Sequence, residues 1–152
     1  MTARNILLVL LFFLALGAIF GGGMFIISPS GQLMGMPLSM LDNSPFKNFL
    51  VPGIILFVVL GIAPVAVAIA LIKKPANKAF EAFNFFKDMY WAWTFTIYMA
   101  FALIIWIQVQ MMMLRAVHWL HSFYIFFAVV IIFTALLPGV RNLYKSKARI
   151  NL

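Results

Sequence analysis

The sequence predicts an all-α membrane protein, a four-transmembrane-helix antiparallel bundle with both termini on the cytoplasmic side, and three observations point there. Of 152 residues, 66% are hydrophobic and 9% charged, with a mean hydropathy of +1.10. That is more apolar surface than a water-soluble fold of this size can bury. Four apolar runs each supply the ~20 residues that a bilayer-spanning helix needs. Together they leave room only for short connections, so residues 1–152 are expected to form one domain. The basic residues also fall unevenly about the runs, nine on one side and two on the other.

Helix 1 is expected from Asn5 to about Ile27, after Met1, Thr2, Ala3 and Arg4. Its apolar stretch exceeds the ~7 to 15 residues of a signal-peptide core and no small-x-small cleavage site follows, so it reads as an uncleaved span. Gly17 and Gly21 stand four apart, and Gly22 and Gly23 extend a small-residue patch against which another helix can pack closely. Ser28-Pro29-Ser30-Gly31 is a turn signal. The stretch from there to about Ser44 holds Leu33, Met34, Met36, Leu38, Met40 and Leu41. It is too short to span and too apolar for a free loop, and is expected to lie in the outer interface.

Ser44 before Pro45 has the order of a helix cap and first helical position. Helix 2 is accordingly expected over 45–72, with kinks at Pro52 and Pro64, each of which lacks a backbone donor for the carbonyl one turn earlier, Asn48 and Leu60. Lys73, Lys74 and Pro75 end it. Asn77 is placed to cap a short amphipathic stretch with Phe80, Phe83 and Phe86 set against Lys78, Glu81 and Lys87, a collar on the cytoplasmic membrane surface. Tyr90, Trp91 and Trp93 mark the interface where helix 3, expected over 89–113, enters the bilayer. Only Arg115, Ala116 and Val117 then precede helix 4, expected over 118–140, so these two helices must be antiparallel neighbours.

Orientation follows from the basic residues. Arg4, Lys73, Lys74, Lys78, Lys87, Arg141, Lys145, Lys147 and Arg149 gather on one side and only Lys47 and Arg115 on the other. The positive-inside rule then puts both termini in the cytoplasm and the 28–48 segment outside.

The same residues narrow the chemistry. With no cysteine, thiol relays, thiolate metal sites and a cysteine nucleophile are excluded. The net charge of +8 sits at helix ends, where the membrane accounts for it, and no nucleic-acid partner is expected. None of the spans carries Asp, Glu, Lys or Arg away from its ends, so ion-coupled transport is not expected unless an oligomer builds a pathway. Small multidrug transporters share the helix number, but the carboxylate of their first helix has no counterpart between Asn5 and Ile27. Haem ligation across a bundle needs histidines on facing helices, whereas the only two, His118 and His121, share one. Met111, Met112 and Met113 point to different sides of a helix and cannot form one copper site. Neither a cofactor nor a metal is predicted.

What remains is a polar group on the outer side: Asp42, Lys47, Gln108, Gln110, Arg115, His118, His121 and Tyr124. Helical spacing puts His118, His121 and Tyr124 on roughly one face. Gln110 stands out, because an amide near the end of a span seeks a hydrogen-bond partner inside the bundle. As a set these residues suit a polar head group, while their ordinary reading is as interface anchors beside lipid phosphate.

Asp42-Asn43-Ser44-Pro45-Phe46, then Phe49-Leu50-Val51-Pro52-Gly53, Leu56-Phe57 and Gly61, with Pro29-Ser30-Gly31 earlier and Trp106-Ile107-Gln108-Val109-Gln110, Leu120 and Tyr124 later, form a pattern over most of the four helices. It resembles that of a family of small bacterial four-helix membrane proteins of unknown function, which often carry Gln-Pro where this chain has His121-Ser122. The resemblance implies the architecture and a bacterial cytoplasmic membrane.

The expected function is that of a non-catalytic module that binds lipid or another amphiphile between kinked helices, or an accessory subunit packed against a protein partner or a second copy. The alternative is an enzyme acting on a lipid head group at the outer leaflet, with His118 or His121 as acid or base, Asp42 orienting it and Arg115 holding phosphate.

Overall fold

The computed structural model describes residues 2–146; Lys147 and Arg149 of the basic tail lie outside the described residues. The chain is all-helical, with four helices long and apolar enough to cross a membrane. These are α1 (Ala3–Ile27), α2 (Leu50–Lys73), α4 (Trp91–Leu114) and α5 (Trp119–Leu136), joined by the short α3 (Lys78–Ala82) and followed by α6 (Pro138–Leu143). Their outer faces carry a belt of exposed large apolar side chains, among them Phe13, Leu16, Val58, Ile62, Phe101, Ile105, Phe126 and Phe133. A belt of this kind marks a surface for a membrane or for a protein partner.

Packing is tightest in the half of the bundle nearest the termini. Leu7 and Leu11 of α1, Ala68 of α2, Ala92 and Ala100 of α4, and Ala128, Ile131 and Ala135 of α5 are all fully buried there. The Trp93 indole donates to the Ala135 carbonyl at 2.9 Å, tying the start of α4 to the end of its antiparallel neighbour α5.

The glycine patch of α1 is split between two tasks. A Cβ on Gly22 would stand 2.7 Å from the Phe57 nitrogen and 2.8 Å from the Gly53 carbonyl, so Gly22 and Gly53 let α1 and α2 cross backbone to backbone. Gly17, by contrast, would meet only the Tyr124 hydroxyl, at 3.0 Å.

Helix α2 departs from expectation at its start. It begins at Leu50, not Pro45, because the Phe49 N–H is taken by the Pro29 carbonyl at 2.9 Å and the Asn48 side chain accepts from Leu50 N–H at 3.0 Å. Ser44 caps no helix; its hydroxyl instead accepts from Phe46 N–H at 3.2 Å. Pro52 therefore lies in the first turn, where a missing donor costs nothing. Immediately before Pro64, Leu56–Ile62 adopts the wider π-helical turn, closed by Ala63 N–H on the Val58 carbonyl.

The expected final span of 118–140 is two helices. Leu137 is extended (ψ 136°), as the residue before a proline tends to be, and Pro138 opens α6.

Residues 28–48 fold as two 3-10 turns, Gln32–Met34 and Leu38–Leu41, rather than as a regular amphipathic helix. Gly31 (φ 77°) makes the sharp turn that returns the chain over α1. Leu41 then joins Phe25, Phe49 and Met113 in a small separate core that fastens this segment to the bundle.

At the opposite end the collar is a folded cap. Asn77 accepts from Ala79 and Phe80 N–H, as expected of a helix cap. Asn84, fully buried, donates to the Met89 carbonyl and to Glu81, and accepts from the Thr94 hydroxyl at 2.5 Å. Glu81 in turn accepts from Trp91 N–H at the start of α4, where a carboxylate offsets the helix dipole. The Tyr144 hydroxyl donates to the Leu71 carbonyl and Tyr90 N–H donates to the Tyr144 carbonyl, so the chain after α6 is sewn onto the same cap. Burial, then the Glu81 carboxylate, push the Tyr90 hydroxyl up to about 12, with the Trp91 hydrogen bond pulling the other way and Tyr144 adding to the rise.

Candidate functional site

In the half of the bundle away from the termini the helices part around a cavity of about 510 Å³. Leu14, Ala18, Leu56, Leu60, Leu103 and Ile107 form its floor and walls, with Leu56 and Leu60 carried by the wide π turn of α2. Met34 and Met40, from the two 3-10 turns, and Met36 between them roof it. The volume lies within the ~300–1,000 Å³ usual for small-molecule sites.

Several lining residues of α1 and α5 are exposed. The two helices touch through Phe13 and Phe127, whose rings lie 5.3 Å apart. One to two turns further from the termini, the lining residues Gly17 and Phe20 of α1 and Leu120 of α5 are exposed and Tyr124 is half-buried. The cavity therefore reaches the surface on this side, as a lateral gap beside Gly17 and Leu120.

Of the residues singled out in the sequence, Gln110, His118, His121 and Tyr124 line this one cavity. His118 is the cap residue of α5, in extended backbone, and its N–H donates to His121 Nδ1 at 3.1 Å. That bond leaves the neutral His121 ring with its proton on Nε2. The His121 ring is buried and the two imidazole centroids lie 5.8 Å apart.

Asp42, Lys47, Gln108 and Arg115 are exposed and do not line the cavity. Arg115 sits in a left-handed conformation (φ 45°) that turns the chain from α4 into α5. Among the described residues the only ion pair is Arg141 with Asp88 at 3.8 Å, in the cap, so no carboxylate is paired with either histidine. Among the same residues no three of His, Asp and Glu come close enough together to hold a metal ion.

Two cavity residues were not singled out as site residues by sequence. Trp106 lines the wall, and its indole N–H is buried without a partner among the described residues. Gly17 carries the Tyr124 hydroxyl over its bare backbone. An indole in the middle of an apolar span gives no sequence signal of an unmet donor, whereas the glycine was visible but read only as packing.

No protein-family model matches the chain, and neither the curated proteins nor the solved structures contain a match.

Proposed function

We propose that this protein is a non-catalytic, multi-pass module of the bacterial cytoplasmic membrane that holds the chain of one amphiphile, taken from the outer leaflet, in the cavity between α1, α2, α4 and α5. The observation that carries the reading is the apolar cavity with its lateral gap. A cavity of about 510 Å³ that is open at its side and lined mainly by apolar side chains is filled more favourably by hydrocarbon than by water.

Its depth fits one leaflet. From Leu114 to Leu103, both lining residues, α4 rises about 16 Å, close to half of the ~30 Å hydrocarbon thickness. The nine-to-two distribution of basic residues supports cytoplasmic termini and, with them, a cavity on the outer side. An enzyme acting on lipid head groups would need Asp42 brought to His118 or His121, a contact absent among the described residues.

Native mass spectrometry of the protein extracted in mild detergent tests the reading. One tightly retained amphiphile per chain is expected, lost in Gly17→Phe, whose Cβ would meet only the Tyr124 hydroxyl and whose ring is added at the edge of the cavity. Wild type free of any bound amphiphile, or Gly17→Phe retaining it fully, would count against it.

A further inference from the structure

The polar residues of the cavity specify the kind of head group it takes, an inference that rests on the reading above. Gln110, His121 and Tyr124 line the cavity, and the Gln110 carboxamide, His121 Nε2 and the Tyr124 hydroxyl have no hydrogen-bond partner among the described residues. At membrane depth an unmet polar group is costly, and a bound molecule or water must satisfy it. The chemistry of the three is dominated by donors: the phenol, the Nε2–H fixed by the His118 bond, and the carboxamide NH₂, with the amide oxygen as the accepting partner.

Among the described residues no Asp, Glu, Lys or Arg lines the cavity. Arg115 and Lys47, the basic groups expected on the outer side, are exposed and off it. Depth adds a second constraint. Tyr124 lies five residues into α5 and Gln110 four residues before the end of α4, roughly 6–8 Å inside the helix ends. A phosphate or carboxylate drawn to that level would be desolvated with no cation beside it. A carbonyl or hydroxyl oxygen meets donors there at no such cost.

We propose that the cavity is selective for an uncharged, single-chain amphiphile whose head carries acceptor oxygens, of the ester- or ketone-carbonyl class, with Tyr124 as the specificity-determining donor and Gln110 and His121 as its companions. Charged lipids are left to the outer surface of the bundle.

Three probes of similar chain length separate the terms, measured by competition on the full chain in detergent: monoolein (neutral, ester carbonyl), oleate at pH 9 (charged) and 1-octadecene (no head). The expected result is one monoolein bound per chain, about tenfold tighter than either other probe. Tyr124→Phe should weaken monoolein about tenfold, the scale of one buried hydrogen bond, and leave 1-octadecene unchanged. Gln110→Leu supplies the same contrast should Tyr124→Phe fail to fold. Oleate binding as tightly as monoolein, or either variant weakening monoolein and 1-octadecene equally, overturns the proposed selectivity while leaving an amphiphile site in place. Binding of none of the three overturns both.

Discussion

Gly22→Ala and Gly17→Ala, five residues apart on α1, should differ in their effects on stability. A Cβ on Gly22 would lie 2.7 to 2.9 Å from three backbone atoms of α2, where ordinary contact begins at 3.4 Å, so the helices must part by up to about 0.7 Å. Backbone cannot rotate out of the way as a side chain can, and overpacking of this kind costs about 1–3 kcal/mol. On Gly17 the same methyl meets one atom, the Tyr124 hydroxyl at 3.0 Å, at the tip of a side chain that borders open space. Both variants gain the same helix-propensity term of about 1 kcal/mol. It cancels in the comparison, so Gly17→Ala should be more stable than Gly22→Ala by about 1–3 kcal/mol. Reversible unfolding in mixed micelles, followed by helical circular dichroism, measures the difference. Equal stabilities within about 0.5 kcal/mol, or Gly22→Ala the more stable, would refute the backbone crossing at Gly22 and Gly53.

Other expectations are smaller in scope. Trp106→Phe removes a buried donor that has no partner among the described residues, so it should unfold at the same point as wild type or later; a large loss of stability would show that the indole N–H is satisfied. Trp93→Phe removes the bond to the Ala135 carbonyl and should cost about 1–3 kcal/mol in the same assay. Asn84→Ala breaks three hydrogen bonds of the cap, and amide exchange at the start of α4 should rise by at least tenfold; unchanged protection would mean that the cap does not depend on it. Tyr90, raised to about 12, binds its proton more tightly folded than unfolded, where it titrates near 10. Its contribution is therefore complete below about pH 10 and is lost as pH rises towards 12. The fall in stability over that window should be shallower in Tyr90→Phe, and an identical slope would rule the linkage out.

The four spans were legible because hydropathy and length report directly on the solvent a helix needs. Asn77 was legible as a cap because its signal is local. The start of α2 was not, since the bond from Phe49 N–H to the Pro29 carbonyl joins residues twenty apart and no local pattern reports it. The break at Leu137 had its signal in Pro138, which the apolar run outweighed. In the glycine patch, composition announced close approach but could not say by what. A step from Gly21 to Gly22 turns about 100° around the helix, enough to separate a residue lining the cavity from one at the helix crossing. The outer polar group was legible as a location only. Its division into Gln110, His118, His121 and Tyr124 within the cavity and Asp42, Lys47, Gln108 and Arg115 outside it depends on helix rotation and on where the 28–48 segment folds back.

The central claim, that an amphiphile chain occupies the space between the helices, is tested most directly by an experimental structure in lipid nanodiscs supplied with a monoacylglycerol brominated at mid-chain. Bromine density among Leu14, Leu60 and Leu103, with the head oxygens near Tyr124 and Gln110, is the predicted result. Bromine confined to the outer surface of the bundle, with the cavity closed by its own side chains, would contradict it.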